Sequence, residues 1–156
     1  MCFETKKRFS RGLTKPAIKI KIESLADLEL FRKHPHPSIG PITTKIRKLN
    51  LDCQRFLLNQ KPQTTVFFIA QFDDKPIGIC TLFIGAEFAG LFDVGVLDEY
   101  RRRGVGTALV RHACTYAREH QVEGVTLIAT NEGYGVYERL GFREIAKFGF
   151  WYAARP

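Results

Sequence analysis

Residues 100–107, Tyr-Arg-Arg-Arg-Gly-Val-Gly-Thr, are of the types that bind phosphate, and they lie between a strand-like and a helix-like run, 89–97 and 107–120. The first N–H groups of a helix have no intrahelical partner, and the helix dipole adds partial positive charge there. Gly104 and Gly106 let an anion approach the backbone without meeting a Cβ, and the arginines add positive potential. The stretch predicts a site for a diphosphate-bearing cofactor.

Two common nucleotide motifs are excluded at this turn. A dinucleotide-binding fingerprint needs glycine or alanine three residues after the second glycine, and this chain has Leu109. No P-loop lysine follows Gly106 either. The nicotinamide and nucleoside-triphosphate interpretations are therefore weakened.

The elements that must position this turn follow from hydrophobic periodicity and turn residues. The predicted order is β-α-α-β-β-β-α-β-α-β, an α/β fold with a mixed sheet. The predicted strands are 18–22, 66–72, 77–84, 89–97, 125–129 (apolar enough to be buried on both faces) and 142–152. The predicted helices are a short one after Ser24, a second spanning 46–57, a third over 107–120 and a fourth over 134–140, ended by Gly141.

Length and composition predict one domain, residues 17–156, behind a basic N-terminal arm, residues 1–16. At 156 residues and 45% hydrophobic content, one core suffices. Residues 1–21 hold seven lysines and arginines against one glutamate, so six of the eight net positive charges lie there. Four widely spaced cysteines without a CxxC pair favour a reduced cytoplasmic setting. No apolar run is long enough to span a membrane.

Two motifs in this order resemble the GNAT N-acetyltransferase superfamily. Arg101 to Gly106 matches its Gln/Arg-x-x-Gly-x-Gly/Ala signature, and Tyr137 to Phe142 matches its Tyr-x-x-x-Gly-Phe setting. The resemblance covers residues 18–152 and implies a mixed, mostly antiparallel central sheet of six or seven strands with about four helices. Members often have an asparagine at the end of the fifth strand. Here Thr130 lies nearest to the position of that asparagine, and Asn131 lies one residue further along the chain.

The resemblance implies acetyl-coenzyme A as donor and a primary amine as acceptor. The cofactor-binding residues that it implies lie on the central strand, the glycine turn and the last helix: Val94, Gly95, Val96, Arg101, Arg102, Arg103, Gly104, Val105, Gly106, Thr107 and Asn131. Tyr137 is the candidate proton donor to the leaving thiolate, since a phenol with a pKa near 10 can protonate a thiolate whose conjugate acid is near 8.5.

The sequence indicates the general base less clearly than the proton donor. An alkyl amine with a pKa near 10.4 is mostly protonated at neutral pH, so an acceptor must take its proton. Asp93 is the only carboxylate inside the predicted central strand, and Glu87 just before that strand is the second candidate. A structural alternative for Asp93, hydrogen bonding to backbone in a turn, stays open.

Other functions fit parts of the sequence. A non-catalytic acyl-coenzyme A binding module would use the same turn, and the basic arm would suit an acceptor borne on RNA, such as aminoacyl-tRNA. His34 and His36 lie in a proline-rich loop without a nearby third ligand, so no metal site is predicted. The expected assembly is a monomer or a homodimer. The acceptor itself is not identified by the sequence.

Overall fold

A computed structural model describes residues 18–22, 52–53, 56–57, 59, 64–147 and 149. In this part of the chain, five strands form one sheet in the order β1 to β5, and two helices are described from end to end. The strands are β1 (Lys19–Ile22), β2 (Thr65–Phe72), β3 (Lys75–Ile84), β4 (Phe88–Val96) and β5 (Gly124–Leu127). The helices are α1 (Val105–Glu119) and α2 (Asn131–Arg139).

The sheet is antiparallel from β1 to β4 and parallel between β4 and β5. Two aspartates, Asp73 and Asp74, form the predicted turn between β2 and β3 with φ angles of 47° and 59°. Positive φ at both central residues matches the right-handed twist of the flanking strands, and aspartate tolerates it better than most residues. The mixed, mostly antiparallel α/β sheet expected from the family resemblance is confirmed.

The two faces of the sheet bury different side chains. The face that we call the α1 face packs Phe68, Leu82 and Leu91 against Leu109 of α1, all with 2% exposure or less. The other face, here called the opposite face, buries a cluster with four members among the described residues, Phe67, Ile69, Ile79 and Leu97. Because side chains alternate along a strand, each central strand contributes to both faces, and its sequence is almost continuously apolar.

Both helices begin earlier than the periodicity predicts. Helix α1 starts at Val105 instead of Thr107, directly after the glycine of its N-cap. Helix α2 starts at Asn131 instead of Tyr134, because the Thr130 side chain accepts a hydrogen bond from the Gly133 N–H at 3.2 Å and caps the helix. Capping depends on one polar side chain, which an apolar period does not detect.

Two strand predictions need correction. Strand β5 ends at Leu127 and is half-buried, not buried on both faces, because among the described residues only β4 pairs with it. Residues 142–147, the described start of the strand predicted over 142–152, form no strand. These residues pair with no strand in the described region, and the side chain of Ile145 is 87% exposed.

Other predicted elements lie outside the described residues. These are the helix after Ser24, the loop carrying His34 and His36, and most of the second helix, of which residues 52–53 and 56–57 are described and helical. The basic arm, residues 1–16, also lies outside. None of the helices in the described ranges has the length and apolar character needed to cross a bilayer.

Candidate active site

The glycine turn forms an open cradle of backbone donors at the start of α1. Gly104 is the N-cap with a φ of 84°, no side chain caps the helix, and the first helical hydrogen bond runs from the Ala108 N–H to the Gly104 carbonyl at 2.9 Å. The N–H groups of Val105, Gly106 and Thr107 precede that bond and have no intrahelical acceptor. A Cβ placed on Gly104 would meet no protein atom within 4 Å, so the space over the turn is open. The arrangement fits a diphosphate.

The three arginines beside the turn differ in their contacts. Arg101 donates from Nε to the Asp98 carboxylate at 2.8 Å and to the Val96 carbonyl at 3.3 Å, which ties the turn to the end of β4. The Arg103 guanidinium lies 5.6 Å from the centre of the Tyr100 ring. Arg102 is exposed and has a φ of 59°. Arg101 therefore shapes the turn, whereas Arg102 and Arg103 present charge around it.

We expect Gly104→Ala to weaken folding and cofactor binding together. Alanine meets no steric clash at this position, but the left-handed φ costs a residue with a Cβ on the order of 1 kcal/mol. The same Cβ would lie where the phosphates approach. Denaturant unfolding and calorimetric titration with coenzyme A measure both effects.

Gly106→Ala is the matched control for that substitution. Its Cβ would lie 3.7 Å from Val96 Cγ2, an ordinary contact, and alanine favours the helix. Stability should stay the same or rise slightly. Equal stability of the Gly104→Ala variant and the wild type would contradict the assigned strain.

Strands β4 and β5 separate beside this turn. Their parallel ladder pairs four residues of each strand and ends at Leu91 with Leu127, although β4 continues to Val96. On its other side, β4 stays paired with β3 as far as Val96. Among the described strands, none therefore pairs with this edge of the second half of β4, beyond the point where the β4–β5 ladder ends. An extended chain that carries amide groups could form hydrogen bonds there.

The unpaired edge of β4 is formed by alternate residues. The Leu97 N–H, directly after β4, donates to a β3 carbonyl at 2.9 Å. Since consecutive backbone groups point to opposite edges of a strand, the Gly95 N–H also points to β3, and those of Val94 and Val96 point to the open edge. Of these three predicted residues, Val94 and Val96 offer backbone donors to a ligand, and Gly95 is buried.

A β-bulge in β4 reorients the candidate base. One residue of β3 stands opposite two of β4, Asp93 and Val94, between two regular pairs. Those pairs are Thr81 with Phe92 and Ile79 with Gly95. Asp93 has a φ of 51°, and its Oδ2 accepts a hydrogen bond from the Thr81 hydroxyl at 3.4 Å. The carboxylate therefore lies on the opposite face with Phe92, exposed, beside the point where β4 and β5 separate.

Glu87 lies far from this point. It is exposed, in the bend before β4, where its backbone carbonyl accepts from the Glu123 N–H at 2.7 Å. Asp93 follows it six positions later along the strand, about 20 Å at the rise of an extended chain. The structure does not bring the two candidate carboxylates together.

Tyr137 projects from α2 into the α1 face of the sheet. Its ring packs edge-on against Phe142 with centroids 5.9 Å apart, and a Cβ on Gly133 would meet the ring at 2.9 Å. Burial, and then the Cys80 thiol, raise the pKa of Tyr137 above its ordinary value of 10.0. The phenol is therefore neutral at physiological pH, the form that can donate a proton. Burial and then Cys114 raise the pKa of the Cys80 thiol to about 12, so Cys80 stays protonated and is a poor nucleophile.

The sequence profile of the acetyltransferase (GNAT) family matches residues 28–142. The chain belongs to this family. Acetyl-coenzyme A is the acetyl donor of GNAT enzymes. The matched segment includes the glycine turn, the separating strands and Tyr137, which are the features built up above.

Relatives and a solved structure agree with this membership. An uncharacterised N-acetyltransferase of Chlorobaculum tepidum is 33% identical over 82 residues, 52% of this chain and 52% of the relative. An N-alpha-acetyltransferase of Sulfurisphaera tokodaii is 27% identical over 114 residues, 63% of this chain and 68% of the relative. This chain thus spans about half the length of the first relative.

The structure of AAC(6')-Iy in complex with a coenzyme A bisubstrate analogue superposes with a TM-score of 0.72 at 18% identity. It covers 89% of this chain and 99% of that one. At that identity the likeness concerns the fold alone.

The sequence pattern does not indicate two residues of this site, Thr81 and Phe92. A threonine inside the apolar strand β3 is nevertheless a signal for a polar partner nearby. Asn131 is the exposed first residue of α2, and Thr130 before it is occupied by capping. Within the described ranges, no three His, Cys, Asp or Glu side chains are grouped as metal ligands.

Proposed function

We propose that this protein transfers the acetyl group of acetyl-coenzyme A directly to a primary amine. The observation that carries the proposal is the separation of β4 from β5 beside the open N-terminus of α1. It places a candidate phosphate site next to the part of β4 that β5 no longer pairs with after Leu91. A long cofactor with a diphosphate at one end and amides along its arm matches that succession.

The donor side of the site uses the backbone. The N–H groups of Val105, Gly106 and Thr107 would hold the pyrophosphate, and the Val94 and Val96 N–H groups would hold the pantetheine amides. When bound there, the cofactor supplies an activated acetyl thioester. Arg102 and Arg103 add positive charge around the phosphates.

The two proton transfers fall on opposite faces of the sheet. Asp93 on the opposite face would take the proton of the substrate ammonium, so that the nitrogen lone pair becomes free to form the new C–N bond. Once the C–N bond has formed, the nitrogen still carries one extra proton, which would pass to solvent. Tyr137 on the α1 face would give its proton to the sulfur as the C–S bond breaks, and solvent would later restore it. Thr81 holds the Asp93 carboxylate through its hydroxyl. The thioester would lie beside the end of the β4–β5 ladder, between the two faces.

The names of relatives support an amine acceptor without selecting one. The Sulfurisphaera relative is named an N-alpha-acetyltransferase, and two similar structures are described as aminoglycoside acetyltransferases. We further propose a single catalytic domain, residues 17–156, in a reducing compartment such as the cytoplasm, with Cys53 and Cys80 as free thiols among the described residues. A monomer or a homodimer fits the site as described.

Release of free thiol tests the proposed activity. The protein is incubated with acetyl-coenzyme A and a panel of primary amines, and coenzyme A thiol and acetylated amine are both measured. We expect equal amounts of the two products. Tight binding of coenzyme A without either product would instead support a non-catalytic acyl-coenzyme A module.

An RNA-directed activity would depend on the basic arm. Deleting residues 1–16 should leave acetylation of small amines unchanged if the arm is not part of the site. Loss of salt-sensitive RNA binding together with loss of activity on aminoacyl-tRNA would favour the RNA-borne acceptor.

A further inference from the structure

Two phenylalanine rings lie beside Asp93 on the opposite face of the sheet. The rings of Phe83 and Phe92 meet edge to face with centroids 5.4 Å apart. Phe92 is nevertheless 45% exposed. Large exposed apolar side chains that continue a candidate active site are typical of surfaces that bind a ligand.

Two glycines leave room for exposed phenylalanine rings to lie on the sheet. A Cβ on Gly90 would meet the Phe92 ring at 2.6 Å, so the ring lies in the space that a side chain at position 90 would occupy. In the same way, a Cβ on Gly124 would meet the ring of Phe88 at 3.3 Å, and Phe88 is 51% exposed. We call Phe83, Phe88 and Phe92 the aromatic shelf.

The bulge joins the aromatic shelf to the carboxylate. In a regular strand, neighbouring side chains point to opposite faces, but the extra residue in β4 places Phe92 and Asp93 on the same face. Their Cα atoms are consecutive, about 3.8 Å apart. An ammonium group at the Asp93 carboxylate therefore has an apolar surface within a few bonds of its nitrogen.

We propose that the acceptor is a primary amine carrying an aromatic ring two or three bonds from its nitrogen. The ammonium group pairs with Asp93, and the ring packs on the aromatic shelf in the edge-to-face or offset manner that rings prefer. A polyamine or an aminoglycoside has no aromatic ring to pack on the shelf and would bury less apolar surface there. This inference rests on the proposed acetyltransferase function and names its substrate class.

Competing acceptors test the substrate class directly. We would measure kcat/KM for 2-phenylethylamine, n-propylamine, spermidine and kanamycin with saturating acetyl-coenzyme A. The value for 2-phenylethylamine should exceed that for n-propylamine at least about tenfold, the discrimination that an apolar pocket supplies. A preference for spermidine or kanamycin would overturn the substrate class and leave the acetyltransferase function standing. Thiol release with none of the amines would overturn the function itself.

Two substitutions test the shelf itself. Phe92→Ala should lower kcat/KM for 2-phenylethylamine at least about tenfold more than for n-propylamine, mostly through KM. Gly90→Ala should act in the same direction, because its Cβ displaces the Phe92 ring without removing apolar surface. Ile145→Ala, at an 87% exposed position outside the shelf, is the control and should leave kcat/KM unchanged for both amines. Equal losses for both amines in Phe92→Ala would show a structural role and overturn the proposal.

Discussion

Replacing Tyr137 by phenylalanine should lower kcat about a hundredfold or more while leaving coenzyme A affinity nearly unchanged. A positioned proton donor contributes on the order of 10²- to 10⁴-fold to a rate. Phenylalanine keeps the ring that packs against Phe142 and over Gly133, so the fold loses only a hydroxyl. Burial already keeps this phenol in its protonated form, which suits a donor and not a base. Single-turnover acetylation and calorimetric titration with coenzyme A separate the two effects.

Tyr134→Phe is the matched control for this substitution. Tyr134 lies on the same helix three residues earlier, but its side chain is 44% exposed, and the charge of Glu144 is the main cause that raises its pKa. Removing this hydroxyl should leave kcat at the wild-type value. If Tyr137→Phe and Tyr134→Phe were both fully active, the thiolate would leave without a tyrosine proton, and Tyr137 would have a packing role only.

Asp93→Asn should lower kcat/KM at neutral pH about a hundredfold. Asparagine keeps the shape of the side chain, can still accept from the Thr81 hydroxyl and tolerates the positive φ of 51°, so the bulge should survive. What it loses is the capacity to take a proton. The defect should therefore appear in turnover, with coenzyme A affinity and thermal unfolding unchanged.

The pH profile of this variant separates a base from a residue that only orients the amine. An alkyl amine has a pKa near 10.4, so its free form increases about tenfold for each pH unit below that value. Without a base, the reaction depends on that free form. The ratio of kcat/KM between wild type and Asp93→Asn should therefore decrease as pH rises from 7 to 10. A ratio that stays constant over this range would contradict the base role. Glu87→Gln, at the far end of β4, should match wild type throughout.

Much of the fold could be predicted from local sequence. The turn at Asp73 and Asp74, the strands around it and the stop of α2 at Gly141 all depend on residues a few positions apart. The prediction failed where an element depends on a partner. Residues 142–147 have an apolar pattern typical of a strand, but a strand forms only by pairing with another strand, and these residues pair with none of the described strands.

Local sequence predicts one part of the site, and the tertiary structure decides the other part. By itself, the sequence predicted the glycine turn that begins α1 and placed Tyr137 on the last helix, because a helix N-terminus with a left-handed glycine is a local structure. Only the tertiary structure decided where β5 leaves β4 and that the bulge places Asp93 beside Phe92. Strand register depends on pairing between distant segments, which no short stretch of sequence specifies. The proposed donor site therefore rests on residues that the sequence alone indicates, and the proposed acceptor site rests on the tertiary structure.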